Sequence, residues 1–264
     1  MHEFPVTGPL SADIRVSSGR VDVTAQPGLT TATVSVEPLD GSDASKEAAE
    51  QTVVELHGTN LLVKTPEHKG WLRMRHPRLA VTVRIPADSA LDLRTASADA
   101  TCAGAYRQVQ VDSASADVFV ENVTGVFGVK TASGDIKATY VGGDAKITSA
   151  SGDVTVATID GSGAVHTASG DVELGTVGGD LGVSTASGDV NVRTLRNGTA
   201  KVNSASGDIA VGVIPGVGVW MELSSMSGRA RSDLQPSGAP ANGQPDVALH
   251  LRSMSGDIVV ARAA

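Results

Sequence analysis

Six aspartates stand at a spacing that chemistry can use. Asp99, Asp117, Asp135, Asp153, Asp171 and Asp189 each close a pentad of Ser or Thr, Ala, Ser, Gly or Ala, then Asp, and successive members are 18 residues apart. If every pentad occupies the same place in a repeating unit, the carboxylates form a row about 4.8 Å apart, the spacing of neighbouring strands. Such a row offers oxygen ligands to a cation such as calcium. It also resembles the clustered carboxylates with which β-helical enzymes bind or cleave polysaccharides. A second candidate is basic: in HKGWLRMRHPR, Lys69, Arg73, Arg75 and Arg78 surround Trp71, which suits a protein partner or an anionic ligand.

Each chemistry makes demands that the sequence meets only in part. Calcium-binding β-rolls repeat G-G-x-G-x-D-x-U-x at both corners of a coil, whereas the other corner here reads VTGV, YVGG, IDGS, VGGD or LRNG, and one late pentad ends in Arg229. Catalysis needs one special constellation, but the phrase recurs in every unit. His166 stands alone at an outward position, and no metalloprotease helix, nucleophile elbow, phosphate loop or dinucleotide fingerprint occurs. Tyr106, Phe119, Phe127 and Tyr140 are the only aromatic residues in the regular units, too few for a sugar-stacking platform.

A structural role is therefore the expectation for the row, with no metal or cofactor. Neighbouring carboxylates at that spacing repel by about 0.9 kcal/mol in water, so something must offset the repulsion. The expected device is a turn in which each Asp, with the Ser two residues earlier, accepts hydrogen bonds from backbone N–H groups of its own corner.

The elements that position the row follow from the period. Taking Phe127 to Asp144 as one unit, the third place holds Leu93, Val111, Val129, Ile147, Val165, Val183 and Val202. The tenth and twelfth places are as consistently apolar, from Ala100 and Cys102 to Ile209 and Val211, and the fifteenth runs from Ala105 to Ile214. The eleventh is mixed. This is the pattern of strands with one buried face, and glycines at the seventeenth place (Gly125, Gly143, Gly161 and Gly179) predict a second corner with positive φ. Same-sided side chains in every unit predict a mainly β, single-domain parallel β-solenoid, β-helix-like, with 18-residue coils.

Residues 1–80 are expected to form a β-rich cap containing one short helix near 43–56, residues 81–217 the regular repeats, and residues 218–264 irregular coils and a loop of the same domain. VSSGRVDV, around Ser18 and Gly19, is a degenerate copy of the repeated phrase, which suggests that the first strands already belong to the stack. DVALHLRSMSGDIVVARA is expected to supply the last coil, with bulkier residues covering the open end.

Composition agrees with many short strands: 30 Gly and only 3% aromatic residues. A net charge of −8 argues against nucleic-acid binding. The lone Cys102 is expected to be a small core residue. With no basic and apolar leader in MHEFPVTGPLS and no apolar stretch of bilayer length, a cytoplasmic chain without membrane insertion is expected.

The lead-in IPADSALDLRTASAD, the tandem TASGD and SASGD units and the closing SMSGDIVVARA resemble the bacterial β-strand-repeat proteins labelled "putative adhesin", related to the toastrack domain. The likeness is carried by residues 81–264, and the strand-rich beginning is also similar. It implies a β-solenoid scaffold or binding module without assigned catalytic residues. Toastrack domains in related proteins are often attached to membrane segments and connected with envelope-stress sensing, which gives stress or signalling as the implied setting. The combined expectation is a non-enzymatic interaction module with a protein partner.

Overall fold

The computed structural model describes residues 1–66, 77–235 and 245–263. It is mainly β, and it divides into two compact units, Met1–Asp135 and Ile136–Ala264, with the division falling inside the repeats.

The first unit begins with β1 (His2–Pro5), β2 (Ser11–Gln26) and β3 (Thr31–Pro38), followed by α1 (Asp43–Glu50). Then come β4 (Val53–His57), β5 (Asn60–Lys64), β6 (Leu79–Pro86), the long β7 (Ser89–Ser113), β8 (Val118–Val123) and β9 (Phe127–Thr131). β2 is a coil of the stack, as its sequence suggests. Its residues Ser18, Gly19, Arg20 and Val21 lie parallel to Ser97, Ala98, Asp99 and Ala100 of β7, in register with the pentad. On its other side, β2 pairs in parallel with β5 and β6. Antiparallel strands then close this end: β4 on β5, β3 on β6, and β1 on β3.

The helix is shorter than its sequence suggests. Ser42 caps it by accepting a hydrogen bond from the Ser45 N–H, and the Thr52 hydroxyl donates to the Ala48 carbonyl at 2.7 Å where it ends. Val53 and Leu56, inside the range expected for it, belong instead to β4. Thr52, Val53 and Val54 are β-branched and favour extended backbone, and Gly58, with φ of 61°, turns the chain into a hairpin that pairs Val53–His57 with Asn60–Lys64.

The second unit has two parallel stacks. One contains β11 (Ala145–Ser149), β13 (Gly163–Ser169), β15 (Leu181–Ser187) and β17 (Gly198–Ser206). The other contains β10 (Ile136–Val141), β12 (Val154–Ile159), β14 (Val172–Val177), β16 (Val190–Leu195) and β18 (Ile209–Val213). The chain then makes β19 (Val219–Ser227) and β20 (Ala230–Ser232), followed by β21 (Val247–Ser255) and β22 (Ile258–Arg262).

Their order in space is not their order in sequence. β21 pairs with β17 on one side and β19 on the other, and β22 likewise lies between β18 and β20. The expected last coil is thus the penultimate one, and Val219–Ser232 forms the final coil. The segment that closes the chain has the better core-formers: Val247, Leu249, Leu251, Ile258 and Val260 are fully buried.

The apolar columns lie inside in both units. The third, tenth and twelfth places are 5% exposed or less in every coil, from Leu93 to Val211. Each aliphatic side chain so buried contributes about 1.5–3 kcal/mol. The fifteenth place shifts at both ends of the array. A bulge after Cys102 puts Tyr106, rather than Ala105, opposite Val123, and another after Val192 puts Val213, rather than Ile214, opposite Leu195. Tyr106 is completely buried and donates its hydroxyl to the Val23 carbonyl at 2.8 Å.

Candidate functional site

Each residue of the repeated phrase has a separate task at its corner. The first is a buried hydroxyl: Thr131, Ser149, Thr167 and Thr185 donate to the carbonyls of Ser133, Ser151, Ser169 and Ser187, two residues on, at 2.7–2.9 Å. The glycine has positive φ, 113° at Gly134, 112° at Gly152, 116° at Gly170 and 124° at Gly188. In the TASAD coil of Asp99, where Ala98 replaces glycine, the Thr95 hydroxyl instead accepts from the Ala98 N–H at 2.7 Å. The glycines of the opposite corner were expected at positive φ, but Gly125, Gly143, Gly161 and Gly179 are not there. Close packing explains Gly125 and Gly161, where a Cβ would come within 2.5 Å of the carbonyl oxygens of Arg107 and Gly143.

The aspartates accept from backbone N–H groups of the next coil, where the sequence expectation had them accept from their own corners. In the first unit, Asp99 Oδ1 accepts from the Asp117 N–H at 3.2 Å, and Asp117 Oδ1 from the Asp135 N–H at 2.9 Å. In the second, the chain runs from Asp153 to the Asp171 N–H, from Asp171 to Asp189 and from Asp189 to Asp208, at 2.8–2.9 Å. It continues from Asp208 to the Asp257 N–H at 2.7 Å, then from Asp257 to the Arg229 N–H at 2.8 Å. A charged acceptor on a backbone donor makes a strong bond, and each such bond offsets the repulsion along the row. Arg229 occupies the last described coil, where a carboxylate would find no further N–H to receive.

A second, shorter set does the same work at the opposite corner. Asp144 Oδ1 accepts from the Ser162 N–H at 2.9 Å, Asp180 Oδ1 from the Thr199 N–H at 2.8 Å, and Asp246 Oδ2 from the Gly218 N–H at 2.9 Å. Among the described residues, no three or more His, Cys, Asp or Glu side chains gather closely enough to hold a metal ion.

The other sequence candidates are dispersed. Lys69, Trp71, Arg73 and Arg75 lie outside the described residues, as does most of the Pro/Gly loop between Ser232 and Asp246. Arg78 is exposed at the start of β6, and its backbone N–H donates to Ser45 Oγ at 3.0 Å. His166 is exposed on β13 between Thr148 and Ser184. Cys102 is a buried core residue, and burial, with Asp22 nearby, pushes its thiol up to about 12. Tyr106 is sealed in the first unit's core and cannot face a sugar. Tyr140 is on the second unit's surface, donating its hydroxyl to Asp160 Oδ2 at 2.6 Å, a bond that raises its pKa.

The bulkier residues expected to cover the open end lie in the final coil. Val219, Met221 and Leu223 occupy the inward columns filled by Val247, Leu249 and Leu251 one coil earlier, yet they remain half-exposed. On the outward face, Trp220 and Met226 are exposed, at 47% and 80%. Trp220 leans on His250, with ring centroids 4.9 Å apart. Glu222 accepts from Arg252 at 2.8 Å and lies 3.2 Å from His250 Nδ1, and these partners hold its carboxyl below the usual range. The sequence signal is Trp220 ahead of the phrase and Met226 and Arg229 within it, at a coil where the repeat loosens.

The coils, the corner phrase and the carboxylate ladder define a β-solenoid whose repeated polar residues serve the stack. A family model described as Toastrack DUF4097 matches residues 11–261, and the chain belongs to that family. No curated protein matches. Among solved structures, a "putative adhesin" from Bacteroides fragilis is 12% identical over 98% of this chain and 95% of its own, with a TM-score of 0.44. One from Parabacteroides distasonis has the same identity and coverage, with a TM-score of 0.39. A "putative cell adhesion protein" from Clostridium sporogenes is 9% identical over 99% of this chain and 98% of that one, with a TM-score of 0.26. Among the described residues, no helix is long and apolar enough to cross a membrane; strands are a separate matter.

Proposed function

We propose that this toastrack chain is a non-enzymatic binding module or scaffold that engages a protein partner through its final coil. One observation carries the reading: the carboxylates that would supply catalysis or cation binding are spent on backbone donors of the next coil, while the final coil exposes Trp220 and Met226 beside half-buried Val219, Met221 and Leu223. Isolated exposed apolar residues need no explanation, but a row of them along a strand edge unpaired among the described residues is a binding surface. The basic stretch with Lys69, Trp71, Arg73, Arg75 and Arg78 is a second place for a partner to touch.

The test pairs capture with turnover. The full chain and its Trp220→Ser variant are used as baits, and the wild type is incubated with a panel of polysaccharides. The expected result is a bound polypeptide lost with Trp220→Ser, and no cleavage. Cleavage of any glycan that is abolished by Asp171→Asn would overturn the reading.

A further inference from the structure

We propose that the final coil is an interface with a second copy of this chain, formed by antiparallel, twofold pairing of β19 with β19. This rests on the binding-module reading and names the partner. β19 is nine residues long, pairs with β21 on one side, and contains neither Pro, Lys nor Arg to discourage addition of another strand. Its single charge, Glu222, is already matched by Arg252 and His250 of the neighbouring strand.

The strand is complementary to itself. In antiparallel pairing centred on Leu223, Trp220 faces Met226 of the second copy, and Met226 faces its Trp220. The two large exposed side chains of the strand thereby cover each other twice, and Trp220 meets a soft thioether, a favourable partner for an aromatic ring. Glu222 faces Ser224 of the second copy, so no like charges oppose. The inward residues Val219, Met221 and Leu223 of both copies then continue the core that Val247, Leu249 and Leu251 fill one coil earlier. On the other stack, the exposed stretch from Arg229 to Asp233 carries Arg229 and Arg231 toward one end and Asp233 at the other. Reversing one copy sets positive residues beside negative ones.

The ladder argues for this twofold arrangement over head-to-tail stacking. Parallel addition of another coil would ask the last coil for a carboxylate to accept the incoming N–H, as Asp189, Asp208 and Asp257 do in the three coils before it. Arg229 stands there instead, with no side-chain carboxylate to offer, and donates its own N–H to Asp257 at 2.8 Å. An isologous contact of this kind closes at two copies.

The experiment is sedimentation of the full chain across a concentration series, with wild type and Met226→Lys. Because Met226 is exposed, this change leaves the fold intact, which circular dichroism verifies. The expected result is a wild-type dimer whose dissociation constant rises at least tenfold in the variant. A spin label on Met226→Cys reports the geometry, since Cys102 is buried and does not compete for the label. Six residues of antiparallel offset place the two labels about 20 Å apart. A monomeric wild type, a dimer indifferent to Met226→Lys, or labels separated by more than about 40 Å would each overturn the proposal. A monomeric wild type that still retains a Trp220-dependent partner would sink the second-copy assignment while leaving the binding-module reading in place.

Discussion

Asp171 lies inside the carboxylate ladder and separates its two opposing effects. Its Oδ1 accepts from the Asp189 N–H at 2.8 Å, and its own N–H donates to Asp153 at 2.9 Å. Asp171→Ala removes one acceptor and one charge; Asp171→Asn removes the charge and keeps an acceptor oxygen. The hydrogen bond contributes about 1–2 kcal/mol, toward the upper end while the acceptor is charged. Repulsion from the carboxylates one coil above and one below costs about 0.9 kcal/mol each in water. The two substitutions relieve the same repulsion, so they should differ from each other by the hydrogen bond retained, about 1 kcal/mol, with Asn the more stable. Urea unfolding of the full chain reads this difference directly. Raising salt screens the repulsion and should shift both variants relative to wild type while leaving their difference unchanged. If Ala and Asn variants unfold at the same urea concentration, the ladder bond does not hold the coils. If the wild type melts higher in millimolar calcium than in chelator and either variant abolishes that gain, the row is a cation site and the structural account fails.

Two further substitutions test the corners and the core. Gly170→Ala should destabilise by at least about 1 kcal/mol, because the residue sits at φ of 116° and a Cβ would strike the Gly152 carbonyl; Gly182→Ala, with nothing within 4 Å, should stay within about 0.5 kcal/mol in the same unfolding assay. Cys102 should resist a thiol reagent in the native state at pH 8 and react once the chain is unfolded. Its thiol is raised from 9.0 to about 12, so folding favours the protonated form: the contribution is complete below pH 9 and is lost as pH rises toward 12, by about 1.4 kcal/mol per unit. Cys102→Ala should flatten that part of the stability profile, and an unchanged slope would count against a sealed thiol.

The period and the inward columns were legible because a solenoid repeats one environment in every coil. A side chain at the third place meets the same neighbours whether it is Val129 or Val183, so spacing alone assigned it to the core. Where environments change, the reading slipped by one residue or one element. The bulges that substitute Tyr106 for Ala105 and Val213 for Ile214 occur at the two ends of the regular array, where an 18-residue alignment extends one coil too far. Val53 and Leu56 fit a helical face as well as a strand, and pairing with Asn60–Lys64 decided between them. The corner glycines show a subtler limit. Composition marks Gly170 and Gly161 alike, yet one is required by its φ angle and the other by the approach of a neighbouring backbone.

The order of the last coils was beyond sequence reach for a reason that bears on function. SMSGR and SMSGD each fit the next place in the stack, and chain order alone favours SMSGR followed by SMSGD. Burial reverses that choice: a coil carrying Val247, Leu249 and Leu251 gains more from having a neighbour on both sides than one carrying Trp220, Glu222 and Met226 on its outward face and Ala230 and Ser232 in its second strand. Asp257 gains from the inner place as well, since it can receive the Arg229 N–H only if another coil follows it. Arg229 has nothing to lose by standing last. The residue that breaks the repeated phrase therefore marks the coil at which stacking stops, and the side chains that would be poor core there are the ones left exposed.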